Sequence, residues 1–256
     1  MSALIFSITN LIVVLSCVVL LFILIKYGRN KTHYVLAFFN LVTGIWGVGG
    51  FLIGLAQNSS AAMIAWKIGL LGSVPSVAVL YHLVVSVGNL KRRNLVRLFY
   101  FLTAFIYFLI LFNLAGLKIV QIRNSLYFIQ ATDFRFLFCV IIWVGIVLLS
   151  IFELYRLVRN SSGNKRIQYQ YLFVAYVIGW TGAILDALPM IGFYVFSACN
   201  MLIALQCIIT TYAILRHQLM DIRVIVRRTL IFTLLFAIVY GLVSLLVFGV
   251  NVWLVR

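Results

Sequence analysis

Acidic residues are nearly missing from this chain: four of its 256 residues are Asp or Glu, against 20 Lys and Arg. Four carboxylates are too few for a two-metal centre. No HExxH motif, intramembrane aspartate pair or Ser/His/Asp set accompanies them. The chain therefore presents no catalytic set, it is not expected to be an enzyme, and no metal or other cofactor is expected. Charge of either sign is scarce, at 9% of residues, where a soluble domain carries about 25%. Only two prolines break the chain. The four cysteines (Cys17, Cys139, Cys199, Cys207) sit inside apolar segments without CxxC spacing. That excludes a disulfide-stapled secreted module and reads as buried small hydrophobes. There is no Gly-rich phosphate loop and no basic stripe interleaved with aromatics, so a net charge of +16 does not mark a nucleic-acid binder. An internal repeat, the mark of many transporters, is also missing.

What the chain has is apolar length. Apolar residues make up 65% of it and the mean hydropathy is +1.19. A helix crosses the hydrocarbon core in about 20 residues. Eight segments reach that length: 3–25, 35–56, 64–88, 97–117, 136–157, 171–193, 196–215 and 230–254. They are apolar on all sides, unlike barrel strands, which alternate over about ten residues. The first reads as a span rather than a cleaved signal peptide, because no basic residue precedes it and its apolar run is too long. The fold class is all-α: a polytopic membrane helical bundle of seven transmembrane helices plus an eighth apolar span. The domains read as a sensor bundle over 1–215, a juxtamembrane helix over 216–229 and an additional membrane helix over 230–256. Span 7 has no lysine, so a retinal Schiff base there is excluded.

Basic residues set the orientation. Lys26, Arg29 and Lys31 follow span 1, and Lys91, Arg92, Arg93 and Arg97 follow span 3. Arg156, Arg159, Lys165 and Arg166 follow span 5, and Arg216, Arg223, Arg227 and Arg228 follow span 7. Fifteen of the 20 basic residues thus fall on one side. The N-terminus is outside and the end of span 7 is cytoplasmic.

An ionisable side chain at bilayer depth costs about 2.5–3.5 kcal/mol on insertion scales, so each one is a functional candidate. Asp186, His82 and Glu153 lie well inside spans. Glu153, beside Arg156 and Arg159 near the cytoplasmic end of span 5, reads as interfacial pairing. Asp186 lies about 12 Å inside span 6 at 1.5 Å per residue, with no basic residue at its depth. It is either protonated through desolvation or met by a cation or polar ligand. Asn113, Asn200 and Lys67 share its outer half. With Trp66, Trp180 and Tyr194 as walls, they outline an outward-facing ligand pocket. The competing reading is an interhelical hydrogen-bond cluster that holds the bundle together. His82 joins the ligand-binding candidates, although no second His shares its span for a bis-His haem or metal site.

Span 2 is rich in glycine (Gly44, Gly47, Gly49, Gly50, Gly54), with a GxxxG from Gly50 to Gly54, and Gly69, Gly72, Gly179 and Gly182 add small faces to spans 3 and 6. Close internal helix packing is expected, with homodimerisation as the alternative. Pro75 and Pro189 are expected to bend spans 3 and 6 beside the pocket. In the external segment 117–135, Lys118-Ile-Val-Gln-Ile-Arg-Asn alternates polar and apolar residues, which suits a short strand or an interfacial lid. The stretch from Asn160 to Arg166 reads as a flexible cytoplasmic turn, and a tight hairpin is expected around Gly192-Phe193-Tyr194.

The segment Tyr212–Thr229 places Leu215, Leu219, Ile222 and Val226 at helical spacing, with Arg216, Arg223 and Arg227 on another face and His217 and Asp221 at i,i+4. This is a basic amphipathic helix at the inner membrane surface, either a headgroup anchor or a signal-output element built from Arg216, His217, Asp221, Arg223, Arg227 and Arg228. Here the chain resembles a known family. Tyr212-Ala-Ile-Leu-Arg-His-Gln-Leu-Met-Asp-Ile, then Val226-Arg-Arg-Thr-Leu-Ile-Phe, is similar to the stretch closing the N-terminal seven-transmembrane sensor region of bacterial histidine kinases and related signalling proteins. Trp66, Gly72, Pro75, Tyr81 and His82 in span 3, and Gly179, Gly182, Pro189 and Asn200 in spans 6 and 7, resemble the same family. The resemblance implies a multi-pass protein of the bacterial inner membrane that senses and signals. It also implies a kinase or other output domain, of which the residues up to Arg256 hold neither a phosphoacceptor His region nor an ATP-binding glycine box.

The function read from all this is the membrane-embedded sensory or ligand-binding module of a two-component-type receptor. The alternatives are a small polytopic transporter or permease subunit, or a membrane scaffold subunit. The implied partners are the lipid bilayer, a small hydrophobic or amphipathic ligand, a second copy of the chain, and a cytoplasmic signalling domain or partner protein. The charge bias makes a direct prediction. In intact cells, single cysteines placed in 91–97 or 165–166 will resist an impermeant thiol reagent, while cysteines in 118–135 will react. Labelling of 91–97 from outside would reverse the orientation.

Overall fold

The computed structural model describes residues 3–122, 126–132, 134–193 and 199–218. The eighth span expected at 230–254 and the juxtamembrane residues from 219 onward lie outside them. Two compact units divide the chain, Met1–Ala213 and Ile214–Arg256, and the architecture below is that of the first.

Among the described residues, long apolar runs form seven helices: α1 (Ala3–Tyr27), α2 (Lys31–Leu55), α3 (Ser59–Val87), α4 (Arg93–Leu111), α5 (Phe134–Arg159), α6 (Gly163–Ala187) and α7 (Asn200–Gln218). Six of them are long and apolar enough to cross a membrane, and Asn200–Leu215 is a shorter apolar helix. Side-chain caps mark the starts of two: Asn30 and Asn58 accept from the amides of His33 (3.2 Å) and Ala61 (2.8 Å), satisfying donors that a helix N-terminus leaves free. The alternating segment after α4 is a hairpin of β1 (Leu117–Ile122) and β2 (Leu126–Ala131), antiparallel, with Leu117 opposite Ala131 and Ile122 opposite Leu126.

Two boundaries differ from expectation. Pro189 does not bend α6, which ends at Ala187. It sits in a 3-10 turn, Leu188–Ile191, closed by Gly192 in the left-handed region at φ 92°. Proline has no amide to donate and is favoured in the first turn of a helix. Pro75 does lie within α3. Nearby, the Ser73 carbonyl accepts from Ser76 Oγ (2.7 Å) and Trp143 Nε1 (3.4 Å). The cytoplasmic turn expected from Asn160 to Arg166 shrinks to 160–162, because α6 already begins at Gly163. A helix that satisfies its own backbone can extend its polar first turn beyond the apolar core.

Glycines set the helix spacing. A Cβ on Gly49 of α2 would collide with the Cα and amide of Gly69 on α3. The two backbones touch where neither residue carries a side chain. One residue on, a Cβ on Gly50 would strike the Asn10 side chain of α1, and one on Gly54 would strike Ser7 Oγ. The GxxxG face of α2 therefore packs on α1 within the chain.

The two ends of the bundle differ in kind. At one end, Thr32 and Ser86 share a hydroxyl hydrogen bond (3.0 Å), Tyr169 donates to the Val87 carbonyl (3.4 Å), and Arg92 Nε meets Glu153 Oε1 (3.2 Å). These ties gather the start of α2, the end of α3, the end of α5 and the start of α6, so their basic residues form one rim. Glu153 pairs there with Arg92 and, at 3.8 Å, with Arg156. The expected proximity to Arg156 holds, while Arg92 arrives from the α3–α4 connection, a distant part of the chain. At the opposite end the hairpin lies over the helices. Phe128 of β2 is fully buried and packs edge-to-face on Trp66 (4.6 Å) and Phe6 (6.5 Å), within a cluster that includes Ile53, Ile110 and Ile122.

The Gly49–Gly69 contact predicts an asymmetric response to small changes. Gly49→Ala should force α2 from α3 and destabilise the bundle by about 1–3 kcal/mol through overpacking. Gly145→Ala, where an added Cβ meets nothing within 4 Å, should be neutral or stabilising by up to about 1 kcal/mol. Thermal unfolding of the two variants in detergent will show whether the order holds.

Candidate ligand site

A cavity of about 170 Å³ lies inside the bundle, with walls from α2 through α7. Its lining is aromatic: Trp46, Trp66, Trp143 and Trp180, four of the chain's five tryptophans, face it from four different helices. Trp143 and Trp180 meet edge-to-face, with centroids 4.8 Å apart and planes at 82°, an arrangement that the ring quadrupole favours. The hairpin reaches this lining through Trp66, whose Nε1 donates to the Tyr127 carbonyl (3.2 Å) while its ring stacks against Phe128. Tyr127 in turn donates its hydroxyl to the Gln57 carbonyl (3.3 Å) and so ties the lid to the α2–α3 connection.

The polar groups of the cavity are few. Asp186, one residue before the end of α6, supplies the carboxyl group. With the Asn200 amide turned so that both of its ends are satisfied, its nitrogen donates to Asp186 Oδ1 (2.7 Å) and Oδ2 (3.3 Å) and its oxygen accepts from Asn10 Nδ2 (2.8 Å). Asn10 also donates to the Phe6 carbonyl of α1 (2.8 Å). A polar chain thus runs from α1 through α7 to the carboxylate on α6. Both amides are fully buried, and Asn10 occupies the space that Gly50 leaves open. Lower in the cavity, Gln206 of α7 lies against the bare backbone of Gly179 on α6. Gln206 Nε2 and Trp180 Nε1 are buried donors without a hydrogen-bond partner. Among the described residues, no Lys, Arg or His forms an ion pair with Asp186.

The candidates named from the sequence divide into groups. Asp186, Trp66 and Trp180 line the cavity, and Asn200 stands directly behind Asp186. Lys67 and Asn113 do not join them. Together with Trp66 and Ile129 they line a separate narrow crevice under the hairpin. Lys67 Nζ donates to the Leu111 carbonyl (2.9 Å), capping the end of α4. Asn113 takes a left-handed backbone, φ 58°, in the turn that ends that helix, a conformation asparagine tolerates. His82 faces α4, where its Nδ1 and the Tyr100 hydroxyl share a hydrogen bond (3.1 Å). Tyr194 and the output residues Asp221, Arg223, Arg227 and Arg228 lie outside the described residues. Arg216 and His217 lie in the last turns of α7, which runs unbroken to Gln218.

Sequence reasoning missed Asn10, Gln206, Trp46 and Trp143. A signal for the two amides existed. Asn10 and Gln206 are uncharged polar residues in apolar spans, and in a membrane such groups must find partners inside the protein. No curated protein matches the chain. Residues 8–223 match the family described as the N-terminal 7TM region of histidine kinase, and this bundle of apolar helices around one central cavity belongs to it.

Proposed function

We propose that the bundle is the sensory module of a two-component-type receptor in the bacterial inner membrane, and that its stimulus is a small hydrophobic or amphipathic molecule occupying the cavity beside Asp186. The observation that carries the reading is the composition of the cavity wall. Helices α2 to α7 all contribute to it, and α1 joins through Asn10 and Asn200. An engineered cavity of about 150 Å³ accepts benzene, so a void of about 170 Å³ has room for a compact ligand. A ligand shifts an equilibrium only by its differential affinity for the two states. One that touches six helices at once senses any change in how they pack. Helix α7 carries Asn200, Ile203 and Gln206 at the site and continues without Gly or Pro to Gln218. We read α7 as the element that passes a displacement at the cavity toward a cytoplasmic signalling domain or partner protein.

Two outcomes are expected when the chain is fused to a reporter output domain. Asp186→Asn should change the dose–response while the bundle stays folded, whereas Asp186→Leu should destabilise it by about 1–3 kcal/mol by leaving Asn200 unpaired. Dose–response curves and thermal unfolding separate the two. An unchanged curve in the folded Asn variant would reduce Asp186 to an interhelical clasp. Inserting Gly-Gly after His217 should uncouple stimulus from output without preventing membrane insertion, measured as reporter activity against the amount of protein in the membrane. Intact signalling in that variant would show that α7 is not the transmitting element.

A further inference from the structure

We infer that the cavity is built for a compact organic cation, an alkylammonium ion carrying a hydrogen-bond acceptor on a short arm. This rests on the sensory reading above and names the chemistry of its ligand.

Charge is the first observation. Asp186 faces a largely apolar cavity, and among the described residues the Asn200 amide donates to its carboxyl group. Two carboxylate oxygens offer about four acceptor sites, more than the two contacts this amide makes. The nearby ammonium group, Lys67 Nζ, is committed to the Leu111 carbonyl. A carboxyl group in apolar surroundings is either neutralised by a proton or met by a counter-charge, and among the described residues the protein forms no ion pair with it. A cationic ligand supplies that counter-charge, whereas an anionic one would be repelled by the ionised form.

The walls are the second observation. Indole is the best of the aromatic faces for a cation, and four indoles surround this cavity. Trp143 and Trp180, with planes at 82°, form two adjoining sides of a box, the arrangement that quaternary ammonium groups prefer. Alkyl groups on the nitrogen would fill the apolar volume that a bare ammonium would leave empty.

Size and the remaining donors complete the assignment. A trimethylammonium head on a two-carbon arm is slightly larger than the benzene that a cavity of about 150 Å³ accommodates, a size that suits a void of about 170 Å³. Gln206 Nε2 and Trp180 Nε1, on residues 4% and 6% exposed, have no partner. Unsatisfied buried donors are rare in native structures. A hydroxyl or carbonyl oxygen on the arm of the ligand is the acceptor that they lack.

The test uses the whole chain in lipid nanodiscs and its own tryptophans, since four of the five line the site. Choline is titrated against 3,3-dimethyl-1-butanol, which has the same shape with carbon in place of the charged nitrogen. Choline should give a saturable change in emission at a concentration about tenfold or more below that of the alcohol, the contrast expected when a cation meets aromatic faces and a carboxylate. Asp186→Asn should weaken choline about tenfold and leave the alcohol unchanged, which also shows that the variant retains its fold. Trp143→Leu should likewise weaken choline more than the alcohol. If the alcohol binds as tightly as choline, or if neither variant separates the two, the cation assignment is overturned while the ligand-pocket reading stands. If neither compound binds saturably, both readings fall.

Discussion

The hydrocarbon core offers no water, so every polar group placed there has to be answered by another part of the protein. The chain Asn10–Asn200–Asp186 is where that constraint shapes this bundle most. Asn10 is admitted between α1 and α2 because Gly50 has no side chain. Its amide then holds Asn200, which holds the carboxylate of Asp186. The result links α7 to α1 through one amide–amide hydrogen bond. It also leaves one edge of a carboxylate facing the void inside the bundle. The packing of α1, α6 and α7 and the placement of the cavity's carboxyl group thus depend on the same three side chains. Such hydrogen bonds are modest individually, about 0.6 kcal/mol on average in membrane proteins, so their effect lies more in specifying an arrangement than in adding stability.

The hairpin and the basic rim extend that arrangement to the two ends. Trp66 belongs to both the cavity wall and the floor of the lid, where its ring meets Phe128 and its nitrogen meets Tyr127. A movement of that ring is therefore felt in β2. At the other end Glu153, buried and held by Arg92 and Arg156, ties the α3–α4 connection to α5. Only the carboxylate of these pairs is buried, since both arginine side chains are about half exposed.

Much of this architecture was legible in the residues. Apolar runs of membrane-spanning length placed all seven helices, and the alternation from Lys118 onward announced a strand. Charge alone pointed to Asp186, because an acidic group inside a long apolar helix is costly wherever it sits. What stayed hidden depended on contact between distant segments. Lys67 and Asn113 share the depth of Asp186 but serve helix ends, and depth along a helix says nothing about which way a side chain turns. Asn10 and Gln206 carry no charge, so they did not stand out from apolar surroundings, and the glycines that admit them, Gly50 and Gly179, read only as small faces. Trp46 and Trp143 looked like ordinary apolar residues until four indoles were seen to converge.

The basic rim has an electrical consequence. If that rim is cytoplasmic, as the positive-inside bias predicts, the resting membrane potential favours its position. A unit charge carried through the full field gains or loses about 2.3 kcal/mol per 100 mV, and anionic headgroups add about 1 kcal/mol for each Lys or Arg near the surface. On the proposed cation-sensing reading, a cation that settled against Asp186 from outside would enter part of that field. Its occupancy would then depend on the energisation of the membrane as well as on its concentration.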